Sequence, residues 1–219
     1  MGYIAIGDIH GCHQSLAKLL EAVKPSKEDV VVFIGDYIDR GPDSKGVLDF
    51  LLEYQETQSC IFLRGNHEEM LLDWRDGDRS GIWQSNGGME TLESYWQLGS
   101  TKAEIPKAHI AFIEKTRIYY NTPDYLFVHA GINPHFSVSE NLEMFNEDVF
   151  LWERSHLRNG SKLWEKTVVC GHTPQARVLF KDNLICIDTG CVFSHLPHLG
   201  TLTAIRLPEE EIVSVSYVG

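Results

Sequence analysis

Short apolar runs and amphipathic stretches alternate along the N-terminal half of the chain. Tyr3–Gly7, Val30–Gly35 and Cys60–Gly65 are near-continuous apolar runs. Between them, His13–Val23 carries Leu16, Leu19, Leu20 and Val23 at helical spacing, and Val47–Tyr54 repeats that spacing through Val47, Leu48, Leu51 and Leu52. A third helix is predicted from about His67 to Trp74. Buried strands alternating with amphipathic helices predict βαβ units and a largely parallel sheet. From Asp76 to Thr116 the pattern turns helical and rich in Trp, Gly and Gln, with helices predicted at Met89–Leu98 and Pro106–Thr116. This stretch is too short for a core of its own and reads as a helical insertion or cap. Strands follow at Tyr125–Val128, Thr167–Cys170, Arg177–Phe180, Leu184–Ile187, Leu202–Leu207 and Ile212–Val218. The closing group reads as antiparallel hairpins, turning at Lys181-Asp182-Asn183 and Pro208-Glu209-Glu210. With no repeat, low-complexity tract or linker, residues 1–219 read as a single α/β domain.

Composition narrows the classes. The chain has 219 residues, 43% hydrophobic and 23% charged, which supports a core and excludes global disorder. It carries 19 Lys and Arg against 31 Asp and Glu, a net charge of −12. That balance argues against bulk nucleic-acid binding, though not against a phosphate-processing enzyme whose bound metal ions add local positive charge. No run approaches the ~18 apolar residues of a membrane span. The N-terminus reaches Asp8 without a basic region, so no signal peptide is expected. Cys12, Cys60, Cys170, Cys186 and Cys191 are scattered without a CxxC pair, and read as buried free thiols of a reducing, cytoplasmic compartment. Cys170 and Cys191 keep a redox alternative, because both flank candidate site residues.

The chemistry lies where the apolar runs stop. The first leads to Asp8-Ile9-His10-Gly11, the second to Asp36-Tyr37-Ile38-Asp39-Arg40-Gly41, and the third to Asn66-His67-Glu68. Tyr125–Val128 leads to His129-Ala130-Gly131, and Thr167–Cys170 to Gly171-His172-Thr173. Each of these alone is an ordinary turn or hydrogen-bonded histidine. Five together, each ending a strand, point to one shared site outside the carboxyl ends of an α/β sheet. Carboxylates, an amide and three or more imidazoles exceed what one ion needs. The donor mix suits Mn, Fe or Zn better than Mg or Ca, so two divalent ions sharing one carboxylate are expected.

These five segments resemble the signature of the calcineurin-like metallophosphoesterases. More narrowly, they resemble the phosphoprotein phosphatase branch with its bacterial and phage serine/threonine phosphatases. The resemblance spans nearly the whole chain in order and implies a four-layer αββα sandwich with a small helical cap. It implies one metal held by Asp8, His10 and Asp36, and a second held by Asp36, Asn66, His129 and His172. Manganese is the first expectation. A hydroxide bridging the two ions attacks phosphorus in line. His67 is the implied general acid, oriented by Asp39. Arg40 is implied to bind the phosphoryl oxygens. Arg154, in Leu151-Trp152-Glu153-Arg154, is the candidate for a second phosphate-binding arginine, with Arg158 as fallback.

The implied substrate is a phosphorylated protein side chain, phosphoserine or phosphothreonine first. Hydrolysis of dinucleoside polyphosphates such as diadenosine tetraphosphate is the alternative, since such hydrolases carry nearly the same motifs. A non-catalytic scaffold of the same fold is the third reading, set against the complete ligand set. His67-Glu68-Glu69-Met70-Leu71 fails as HExxH, and Gly7-Asp8-Ile9-His10-Gly11 fails as GxGxxG. His13, His109, His135 and His156 read as surface or supporting residues. Trp74, Trp83, Trp96, Trp152 and Trp164 read as core or cap packing, with cleft lining as the alternative for Trp83 in its Gly-flanked loop. Ser194–Gly200 departs from the shorter Gly-rich link of the family and adds His195 and His198 near the expected rim.

Overall fold

The computed structural model describes residues 2–96, 104–158 and 160–218. In chain order its elements are β1 (Tyr3–Ile6), α1 (His13–Val23), β2 (Val30–Phe33), α2 (Ser44–Tyr54), β3 (Cys60–Phe62) and α3 (Asn66–Asp76). Next come α4 (Met89–Ser94), α5 (Lys107–Glu114), β4 (Tyr119–Asn121), β5 (Tyr125–Val128), α6 (Val138–Met144) and α7 (Glu147–Trp152). The chain closes with β6 (Thr167–Cys170), β7 (Leu179–Lys181), β8 (Leu184–Cys186), β9 (Thr201–Leu207) and β10 (Glu211–Ser216). The strands form two mixed sheets, ordered β10-β9-β1-β2-β3 and β4-β5-β6-β8-β7. Within them β1, β2 and β3 are parallel, as are β5, β6 and β8.

The period-two alternation of each strand explains why the two sheets stack. Ile4, Ile6, Val31 and Phe33 point outward to Leu16 and Leu19 of α1, Val47 and Leu51 of α2, and Phe112 of α5. Their neighbours Ala5, Val30, Val32 and Ile34 point the other way and meet Phe127, Val169 and Ile185 of the second sheet. Leu126, Val128, Val168 and Cys170 then face Val138 of α6 and Phe150 of α7. Three apolar interfaces thus separate four layers, in the order helix, sheet, sheet, helix, as the motif resemblance implied.

The differences from expectation are local. The strand predicted at Arg177–Phe180 is β7, which begins two residues later and ends one later, because Lys181 pairs with Leu184 and the turn shrinks to Asp182-Asn183, where Asn183 takes φ +51°. The helix predicted to Leu98 stops as α4 at Ser94, and Leu98 itself lies outside the described residues. β4, α6 and α7 have no counterpart in the sequence reading. Helices of six or seven residues are too short for a 3.6-residue period to stand out. A cue existed for α6: Ser137 and Glu140 form a reciprocal capping box. Within the 76–116 stretch, Trp83 and Phe112 pack into the first apolar layer and Thr91 is fully buried.

Candidate metal centre

Because β1, β2 and β3 are parallel, their carboxyl ends open on one edge, and β5 and β6 deliver the loops beginning at His129 and Gly171. The expected residues Asp8, His10, Asp36, Asn66, His129 and His172 are all buried. His10, Asp36 and His172 take left-handed backbone conformations, with φ of +46°, +50° and +66°. Asp39 and Arg40 do the same at +72° and +68°. Such φ values are uncommon outside glycine and gather at functional turns. Gly65 admits a close approach: a Cβ there would lie 2.0 Å from Asp36 Oδ1.

Two groups of three ligand atoms, each within 4.8 Å of one another, share Asp36: His10–Asp36–His67 and Asp36–His129–His172. Backbone carbonyls fix the imidazole tautomers. His10 Nδ1 donates to the Ile38 carbonyl at 2.9 Å, and His129 Nδ1 donates to the Ile34 carbonyl at 3.0 Å. Each Nε2 is therefore left as a lone pair facing inward. His129 Nε2 meets Asn66 Oδ1 at 3.0 Å, His172 Nδ1 at 3.2 Å and Asp36 Oδ1 at 3.4 Å. His10 Nε2 lies 3.4 Å from Asp36 Oδ2. Asp8 accepts the His172 backbone N–H at 3.0 Å.

The electrostatics match. Burial pushes His10 and His129 down to about 3 and His172 down to about 2, which keeps these imidazoles neutral and able to ligate. Burial, then Asp188 and Asp36, raise Asp8 well above the usual carboxylate range; burial and Glu68 do the same to Asp36. Acceptors crowded against acceptors, and carboxylates against carboxylates, are what a cation resolves. The donor set fits divalent ions.

The model of the calcineurin-like phosphoesterases matches residues 1–198. The chain belongs to the calcineurin-like phosphoesterases. It is 30% identical over 98% of its length to the asymmetrical bis(5'-nucleosyl)-tetraphosphatase PrpE of Anoxybacillus flavithermus, covering 94% of that protein. It is 33% identical over 92% of its length to serine/threonine-protein phosphatase 1 of Salmonella typhimurium, covering 90% of it. The crystal structure of a candidate diadenosine tetraphosphatase superposes with a TM-score of 0.71 at 24% identity, over 100% of this chain and 94% of the other, a likeness of fold. Members of this family work with a dimetal centre, and the Asp and His groups of this phosphoesterase are arranged to hold one.

The remaining expected residues surround that cluster. His67 Nδ1 lies 2.6 Å from Asp39 Oδ2, while its Nε2 is buried, without a hydrogen-bond partner among the described residues, 4.0 Å from Asp36 Oδ2. Arg40 Nη1 donates to His10 Nε2 at 2.7 Å, and Arg154 Nε donates to His172 Nε2 at 2.9 Å. Arg158, the fallback, makes no such contact among the described residues.

Three supporting residues escaped the sequence reading of the phosphoesterase. Glu68 is fully buried and accepts the backbone N–H groups of Gly65, Asp36, Tyr37 and Ile38 at 2.8 to 3.3 Å. It thereby ties the loop carrying Asp36 to the loop carrying Asn66. Its place at the third position of α3 was the available cue. Thr91 donates to Asp39 Oδ1 at 2.6 Å. Asp188 follows β8, a sixth strand end, and burial raises it to about 6. Trp83 does not line the cleft; it is buried and its indole N–H donates to Asp39 at 2.9 Å. His109 and His156 are buried away from the cluster, His109 against Tyr95 and Asp49, and His156 beside Cys170. All five cysteines are free.

Proposed function

We propose that this phosphoesterase hydrolyses a phosphoric ester or anhydride by direct attack of water, with His67 as the acid that protonates the leaving oxygen. The observation that carries this reading is the Asp39–His67 pair. One imidazole nitrogen is tied to a carboxylate at 2.6 Å, and the other is buried, without a hydrogen-bond partner among the described residues, 4.0 Å from Asp36 Oδ2. Burial, with His10 and Arg40, pushes His67 well below the ordinary histidine range, while the Asp39 carboxylate opposes that by stabilising the protonated ring. Trp83 and Thr91 hold Asp39 in turn, so the acid is oriented before substrate arrives.

Asp8, His10 and Asp36 would hold one divalent ion, and Asp36, Asn66, His129 and His172 the other. Bound there, the ions supply Lewis acidity toward water and neutralise phosphoryl charge. Manganese is our first choice, on the imidazole and carboxylate donor mix. Arg40 and Arg154, each donating to a ligand histidine, have further guanidinium N–H groups to offer the phosphoryl oxygens. No acceptor side chain is required for a covalent intermediate.

For the substrate we favour a dinucleoside polyphosphate. The recurrence of PrpE names among relatives that align over nearly the whole chain supports this order. A phosphoserine or phosphothreonine side chain is the second reading, supported by the Salmonella relative. None of the described helices is long and apolar enough to cross a membrane. A cytoplasmic location, where free thiols persist, completes the reading. The test is turnover with added manganese on diadenosine tetraphosphate and on a phosphothreonine peptide, with Asp36→Asn as control. Faster dinucleotide cleavage is expected. Faster peptide cleavage reverses the order of substrates, and undiminished turnover by Asp36→Asn removes the dimetal reading.

A further inference from the structure

A cavity of about 760 Å³ is joined to the ligand cluster through Arg154, which lines it and also bonds His172. That is within the range of small-molecule sites, about 300–1,000 Å³. Arg154, Arg158, Lys162 and His135 line it, with Asp182 the single carboxylate among the described lining residues. This composition runs against the chain as a whole, where 31 acidic residues outnumber 19 basic ones. Among the described residues, none of the three cations forms an ion pair.

The chain builds this cluster deliberately. Arg154 precedes a short 3₁₀ turn, Ser155–Arg158, and Arg158 ends it. Lys181 Nζ fastens the turn by donating to the Leu157 carbonyl at 2.7 Å and to the Arg158 carbonyl. Gly160 then reverses the chain at φ +62°, where a Cβ would lie 2.4 Å from the Asp182 carbonyl oxygen. Ser161 is buried and donates to the Pro134 carbonyl at 2.7 Å, which brings Lys162 back to the same opening. Arg154 belongs to both places. Its Nε holds His172 at 2.9 Å while the residue lines the cavity.

We propose that this cavity is a second phosphate subsite. Arg154 contacts the phosphoryl group at the metal centre, and Arg158 and Lys162 take the phosphates bonded to it. The inference rests on the phosphoesterase reading of the centre and deepens it. A phosphate chain presents one charge per group to the cations that line one cavity, whereas a phosphomonoester needs only the end beside His172.

The experiment uses the double variant Arg158→Ala, Lys162→Ala in the full chain with manganese. Its KM for diadenosine tetraphosphate should rise about tenfold, the loss of about 1.4 kcal/mol of binding. Its KM for p-nitrophenyl phosphate, which carries no further phosphate, should stay within about twofold of wild type. Calorimetry of inorganic tripolyphosphate against chelator-treated protein should give an affinity about tenfold weaker in the variant. An unchanged KM for the dinucleotide overturns the proposal, and so does a rise shared equally by the aryl phosphate. A loss confined to phosphopeptides with acidic flanks overturns it too, and makes the cavity a peptide groove. Wild-type protein that turns over neither phosphate removes the phosphoesterase reading instead. The calorimetry tells that failure apart, because it needs neither metal nor catalysis.

Discussion

At the scale of single residues, the centre is a set of side chains each fixed by a neighbour rather than by its own rotamer. Backbone carbonyls settle the tautomers of His10 and His129, and Asp39 settles His67. His67 is therefore the residue where role and position can be separated. His67→Ala should lower kcat on an alkyl phosphate by about 10²–10⁴, the usual range for losing a general acid. An aryl phosphate, whose leaving group needs little protonation, should lose far less. Steady-state kinetics on the two substrates check this, and an equal loss on both would sink the acid assignment. The candidate ligands could be named from the sequence because they follow the ends of apolar runs, with a glycine adjacent or close by. The residues behind them could not. Thr91 lies 52 positions from the Asp39 it holds, and Trp83 lies 44. No local pattern encodes such meetings.

Among elements, the recurring device is a side chain from one segment that completes the hydrogen bonding of another. Glu68 does this for two loops at once and keeps them in register with the centre. Glu165 does it for α6. Its carboxylate accepts the backbone N–H groups of Val138 at 2.7 Å and Ser139 at 2.9 Å, and the Ser139 hydroxyl at 2.6 Å. Burial alone would raise Glu165, but the Ser139 hydroxyl and these N–H groups outweigh it and carry it down to about 2. A depressed folded pKa contributes stability that is present above the unfolded value, about 4.3, and is lost as pH falls toward about 2. Glu165→Gln should cost about 1 kcal/mol at pH 7, the worth of an exposed cap. The gap between wild type and variant should close between about pH 5 and pH 2. Urea melts across that range check it, and a gap that stays constant would remove the ionised cap. The short helix that Glu165 caps was itself invisible to periodicity, since seven residues span two turns.

For the molecule as a whole, the two sheets meet at the edge where their ligand loops emerge, so the centre joins the halves of the sandwich. Asp8, His10, Asp36 and Asn66 come from the first sheet's loops, and His129 and His172 from the second's. Ions bound between them should stabilise the fold by linkage, by about 4 kcal/mol at a thousand times Kd. Chelation should then lower Tm by roughly 10 °C for a chain of this size, and added manganese should restore it. Differential scanning calorimetry with and without chelator checks this; a Tm indifferent to chelator would mean that the loops hold no ion.

The amino-acid sequence by itself determined most of the strands, most of the longer helices and the chemical types gathered at the strand ends. Those features are local: alternation, helical spacing and a ligand beside a glycine are written within a few residues. It also carried the family, because the five motifs keep their order along the chain. Only the tertiary structure decided which groups support the candidate ligands, which arginine reaches which histidine, and that Arg158 and Lys162 share a cavity with Arg154. These depend on loops from six strands converging on one edge, and on a turn at Gly160 that no spacing announces. Burial then sets the charge states, and burial belongs to the folded chain alone.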